Sequence, residues 1–85
     1  MEAEDLKIKM LEMAFNCVEP LVDREDLVTI KATLTSSYIV VTISLDKSDI
    51  GKVIGKSGRT IQAIRTLLGS VANRYRFRCH VEVEE

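Results

Sequence analysis

The run IGKVIGKSGRTIQAIRTLL, residues 50–68, decides the fold. It carries Gly51, Gly55 and Gly58 in its first half and Ile61, Ile64 and Leu68 at helical spacing in its second. A short helix interrupted by Gly55 and Gly58, with helical spacing resuming afterwards, predicts a tight turn at Gly55-Lys56-Ser57-Gly58 between two helices. Lys52, Lys56 and Arg59 surround that turn with positive charge. Glycines beside cations suit phosphate, and two kinds of phosphate ligand use them differently.

A triphosphate loop needs G-x-x-x-x-G-K-[ST], because that length lets successive amides wrap the phosphates while the lysine reaches the terminal ones. Gly51 and Gly55 enclose three residues, and the position before Gly51 is Ile50. Such a loop also follows a buried parallel strand directly, whereas a short helix separates Leu45 from Gly55. The triphosphate loop is therefore set aside. The alternative is a passing sugar–phosphate backbone. Two glycines clear side chains from its path. The amides opening the following helix, with their partial positive charge, point into the same space.

Working outward, residues 4–19 have helical periodicity, with a stripe of Leu6, Met10, Met13 and Cys17 thickened by Leu11, Ala14 and Val18. Pro20 ends that helix, and LVDREDL is a polar connector. Val28, Ile30, Ala32 and Leu34 alternate with polar residues, as do Ile39, Val41, Ile43 and Leu45, with TSS between them. This is the pattern of an antiparallel hairpin. Asp46 is placed to cap the short helix, and Asp49 suits its dipole. Gly69 is an unexpected weak point in the second helix of the pair, costing about 1 kcal/mol relative to alanine. The closing run YRFRCHVEVEE alternates as a third half-buried strand. The order α-β-β-α-α-β implies a two-layer α+β domain, a three-stranded sheet covered on one face by three helices.

The 85 residues allow one domain, residues 1–85, and a hydrophobic share of 46% supports a small core. The first apolar segment is broken by Lys7, Lys9 and Glu12, so it is neither a signal core nor a membrane span, and the expected location is the cytosol. Cys17 and Cys79 are too few for a disulfide framework and are expected as buried free thiols. His80 beside Cys79 does not make a metal site, because strand neighbours point to opposite faces. Residues 1–26 hold eight acids against three bases, and residues 46–78 hold eight bases against two acids. A polyanion is the natural partner of the second part.

The extended pattern G-x-V-I-G-x-x-G-x-x-I within this order of elements resembles the KH-domain signature in its type II topology. The whole chain is similar to the small standalone bacterial KH proteins of the KhpA (YlqC-like) family. That resemblance implies binding of about four nucleotides of single-stranded RNA or DNA in a narrow groove. It implies that Gly55, Lys56, Ser57 and Gly58 clamp the backbone, with Arg59 beside them. Gly51, Lys52 and Ile54 would form part of the groove wall. The second strand around Val41 to Ile43 would supply the opposite wall, and Val53 or Ile54 with Ile61 would join the two helices. The acidic first 26 residues should lie away from the groove or meet a protein partner. Implied partners are RNA and either a second copy or a larger Jag-type KH protein, with no membrane and no cofactor. The implied role is RNA chaperone-like or post-transcriptional regulation.

No catalytic constellation is visible, since the one His stands among Arg and Glu and the acids cluster away from the glycine loop. The alternative class is a KH-fold protein-interaction module. Lys56 and Ser57 between the glycines favour RNA over that alternative. Arg65, Arg76, Arg78 and His80 are left open between RNA surface and ordinary solvated surface.

Overall fold

The computed structural model describes residues 2–84. Helix α1 spans Ala3–Val18, strand β1 Thr29–Leu34 and strand β2 Tyr38–Ser44. Helix α2 spans Ile50–Ile54, helix α3 Arg59–Arg74 and strand β3 Arg78–Glu84. The connector after α1 holds two single turns of 3-10 helix, Glu19–Leu21 and Glu25–Leu27. This is the expected type II KH order.

The sheet order is β1-β2-β3. β1 and β2 are antiparallel, with Ile30 opposite Ile43, Ala32 opposite Val41 and Leu34 opposite Ile39. The turn between them is closed by the Thr35 amide donating to the Tyr38 carbonyl at 2.8 Å. β3 runs parallel to β2, with Val81 beside Val41 and Val83 beside Ile43. A parallel neighbour cannot be reached by a tight turn, so the chain must cross over through α2 and α3. That crossover carries the glycine motif. As the central strand, β2 has Ile39, Val41 and Ile43 wholly buried.

The helices cover one face of the sheet. In α1 the buried line is Leu6, Met10, Ala14 and Val18, while Met13 and Cys17 flank it half-buried. The expected stripe is thus shifted onto the i+4 row, which is inclined to the helix axis and is the row that helices commonly pack. In α3, Ile61, Ile64, Leu68 and Ala72 are buried as their spacing predicts. Gly69 does not break α3, and no atom lies within 4 Å of where its Cβ would stand. Burying four apolar residues outweighs one glycine's helix cost of about 1 kcal/mol.

Two further differences are local. Cys17 and Cys79 are free but half-buried rather than sealed, and burial pushes the Cys79 thiol pKa up. The third strand starts at Arg78, not Tyr75, because residues 75–77 close α3. There the Arg76 amide donates to the Asn73 carbonyl and the Phe77 amide to the Ala72 carbonyl, both at 3.0 Å. Arg76 takes a left-handed φ of 67° to allow this.

Candidate nucleic-acid interface

The motif begins at Asp46, whose carboxylate accepts from the Ser48 amide at 3.2 Å and from the Ser48 hydroxyl. Those bonds, the hydroxyl's first, hold the Asp46 pKa below the ordinary carboxylate range. A 3-10 turn, Lys47–Asp49, then leads into α2. Asp49 differs from expectation. Its side chain is sealed from solvent and makes no capping bond to α2. It accepts instead from the Arg24 amide at 2.9 Å, the Asp23 amide at 3.1 Å and the Lys52 ammonium at 3.0 Å. The Arg24 amide, then Lys52, hold the Asp49 carboxyl below its ordinary range. A carboxylate accepting several donors is stabilised in its charged form.

Asp49 therefore fastens the acidic connector to the motif helix. The Lys52 ammonium also meets the Asp23 carboxylate at 2.6 Å. Asp23 and then Asp49 raise the Lys52 pKa. The acidic N-terminal segment was expected away from the groove or against a protein partner; Asp23 instead sits on Lys52, one of the expected groove residues. Lys52 is consequently shared between two carboxylates, unlike Lys56 and Arg59. Those two are exposed and enter no ion pair among the described residues.

The turn has the geometry its glycines allow. Gly55 adopts φ 78° and ψ 172°, Ser57 φ 56° and ψ 25°, and Gly58 φ 74° and ψ 14°. The Gly55 amide donates to the Gly51 carbonyl at 2.9 Å and the Gly58 amide to the Gly55 carbonyl at 3.1 Å. A Cβ on Gly55 would stand 2.2 Å from Thr60 Oγ1 and 2.9 Å from the Thr60 backbone nitrogen. Gly55 is thus demanded by the fold itself. At Gly51, a Cβ would meet nothing within 4 Å, so close helix packing does not account for that glycine. Its exposed position on α2 leaves open space beside the turn.

Gly58 precedes α3, and no side chain caps the start of that helix. The Arg59 amide is taken by the Lys56 carbonyl, so it is the positive end of the helix dipole that faces an anion at the turn. Below the turn, Val53 is wholly buried and Ile61 nearly so, while Ile54 is half-buried. Val53 with Ile61 is accordingly the pair in the core of the two helices, and Ile54 sits at its margin. Val41 and Ile43, expected in the opposite wall, are wholly buried in the core. Their place on the central strand, under the helices, leaves those side chains nothing to offer a ligand.

Arg65 reaches from α3 to the sheet, its Nε and one terminal nitrogen both 3.4 Å from the Val81 carbonyl. His80 lies 3.2 Å from Glu82 on the same strand face. Among the described residues no group of three or more His, Cys, Asp or Glu could hold a metal ion. Residues 51–59 are brought together, and Arg76, Arg78 and His80 belong to the other end of α3. Sequence reasoning missed Asp23 and Thr60. Asp23 carried no signal, being 26 positions from the carboxylate its amide meets.

A family model described as the KhpA/KhpB KH domain matches residues 12–83. The RNA-binding protein KhpA of Chlamydia pneumoniae is 47% identical over 76 residues, which is 89% of this chain and 97% of that protein. The RNA-binding protein KhpA of Streptococcus pneumoniae serotype 4 is 46% identical over 59 residues, 69% of this chain and 75% of that protein. The RNA-binding protein KhpA of Listeria monocytogenes is 37% identical over 76 residues, 89% of this chain and 100% of that protein. With the glycine turn, the crossover and the matched length in agreement, the chain belongs to the KhpA/KhpB family of KH-domain proteins.

Proposed function

We propose that this protein binds single-stranded RNA, holding the backbone against the Gly55–Gly58 turn. One observation carries the proposal: a left-handed turn leads into an uncapped helix start, with Lys56 and Arg59 exposed and free of ion pairs among the described residues. The relatives' names as RNA-binding proteins agree with it. A phosphate next to the turn meets the positive end of the α3 dipole while Lys56 and Arg59 supply charge. The bare backbone at Gly51 and Gly58 lets the strand approach. Ile54, at the margin of the core, gives the neighbouring bases an apolar wall. About four nucleotides fit such a groove. Two phosphate-facing cations give a log–log salt slope of about −1.4 on single strands.

The chain acts by binding rather than catalysis, as an RNA chaperone-like or post-transcriptional regulator in the cytosol. No helix among the described residues is long and apolar enough to cross a membrane. The partner is a second copy or a larger Jag-type KH protein. A groove lined by Cys17, Leu21, Ala63 and Leu67, with Leu67 48% exposed, supplies apolar surface for such pairing. Titration with a single-stranded oligoribonucleotide, followed by amide NMR, tests the site. The largest shifts are expected at Gly51–Arg59. Shifts confined to α1 would overturn the assignment and favour the interaction-module alternative.

A further inference from the structure

The sheet face away from the helices is uncovered and electrostatically divided. Glu82 and Glu84 stand at one end, and Tyr38, Arg78 and His80 at the other. Arg78 is the Cα partner of Tyr38, and its amide donates to the Ser37 carbonyl at 2.9 Å, so the two side chains emerge side by side. Tyr38 is 37% exposed. Arg74 and Arg76 immediately precede this corner, and both are exposed.

Three features distinguish this corner from ordinary solvated surface. Arg74, Arg76 and Arg78 enter no ion pair among the described residues. Arg76 occupies the left-handed position that closes α3, φ 67°, where glycine would be unstrained. A charged side chain kept at a strained position points to a use for that side chain. The helix dipole accounts for cations at Arg74 and Arg76, which close α3, but not for Arg78 on the strand. Finally, an aromatic ring lies beside the arginines, the combination that stacks bases while neutralising phosphates.

We infer that a second segment of the same single-stranded RNA, outside the nucleotides held at the glycine turn, binds across Tyr38, Arg74, Arg76 and Arg78. This rests on the RNA-clamp proposal above. The two cationic sites stand at opposite ends of α3, which is about 24 Å long at 1.5 Å per residue. The clamp then fixes the strand, and the arginine corner adds affinity only for RNA long enough to reach it. Sequence tolerance is expected there, because every base offers a face to stack.

The test is binding of a tetranucleotide and of an unstructured dodecanucleotide by wild type and by the double variant Arg76→Gly/Arg78→Gln. The variant is expected to fold, since glycine relieves the left-handed position, and its Tm is measured alongside. Dodecanucleotide affinity should fall by roughly fivefold or more. Its log–log salt slope should become shallower by about 1.4. Tetranucleotide affinity should stay within about twofold. Wild-type affinity and slope for the dodecanucleotide would overturn the inference, and would leave the arginine corner to a protein partner. An equal loss for both lengths would overturn it too, because the corner would not be a separate segment's site. Lys56→Asp/Ser57→Asp on the tetranucleotide judges the clamp independently. If that variant binds normally, the clamp fails while the dodecanucleotide result still decides the arginine corner.

Discussion

Gly55→Ala should be the most damaging alanine substitution among the glycines of this protein. Gly55 adopts φ 78° and ψ 172°, a region essentially restricted to glycine, where other residues bear about 1–3 kcal/mol of strain. An added Cβ would also stand 2.2 Å from Thr60 Oγ1, 2.7 Å from Thr60 Cβ and 2.9 Å from the Thr60 nitrogen. Rotating Thr60 cannot relieve the last two, so the start of α3 must shift, at the cost of about 1–3 kcal/mol seen for overpacking. Together these come to about 2–6 kcal/mol, against a total stability of about 4–13 kcal/mol for a domain this size. Urea unfolding should show that loss at an unchanged m-value, and Tm should fall by about 4–8 °C for each kcal/mol lost. Gly58→Ala, left-handed but in open space, should lose only about 1–2 kcal/mol. A Gly55→Ala protein within about 0.5 kcal/mol of wild type would refute the turn geometry on which the site rests.

Other expectations follow from the same contacts. Gly51→Ala places a methyl in open space, so it should stabilise the domain by up to about 1 kcal/mol while weakening RNA binding; unchanged affinity would remove Gly51 from the groove. Asp23→Asn should leave Lys52 held by Asp49 alone, raising RNA affinity and steepening the salt slope by up to about 0.7, and Glu25→Gln, which lacks that contact, should do neither. Asp49 has a lowered folded-state pKa, so its contribution to stability is present above the ordinary carboxylate range and is lost as pH falls through that range towards the lowered value. The gap in urea midpoint between wild type and Asp49→Asn should therefore be wide at neutral pH and narrow below about pH 3.9. A gap independent of pH would show that Asp49 is not a charged anchor.

The element order and the turn were legible because both are written locally. Period-two alternation marked the strands, helical spacing marked α1 and α3, and two glycines with two residues between them marked the break. What was not legible depends on long-range placement. Asp49 looked like a dipole partner because its neighbours in sequence are helical. Its real donors, the amides of Asp23 and Arg24, come from a connector with no periodicity. Lys52 read as a free cation for the same reason. Val41 and Ile43 alternate like residues of any half-exposed strand, and only the central place of β2, with β3 parallel to it, seals them. Arg76 gave no sign of its left-handed backbone, since such positions are marked in sequence by glycine and here carry arginine.

The central claim is that the Gly55–Gly58 turn holds RNA through exposed side chains and the positive end of α3. Lys56→Asp/Ser57→Asp tests it most directly, because both side chains are exposed and neither makes a hydrogen bond to another side chain among those described. The variant should keep the wild-type fold by circular dichroism. Two carboxylates facing the phosphates should reduce affinity for a single-stranded tetranucleotide by roughly tenfold or more at moderate salt. A folded variant that binds that tetranucleotide as tightly as wild type, with the same salt slope, would contradict the account.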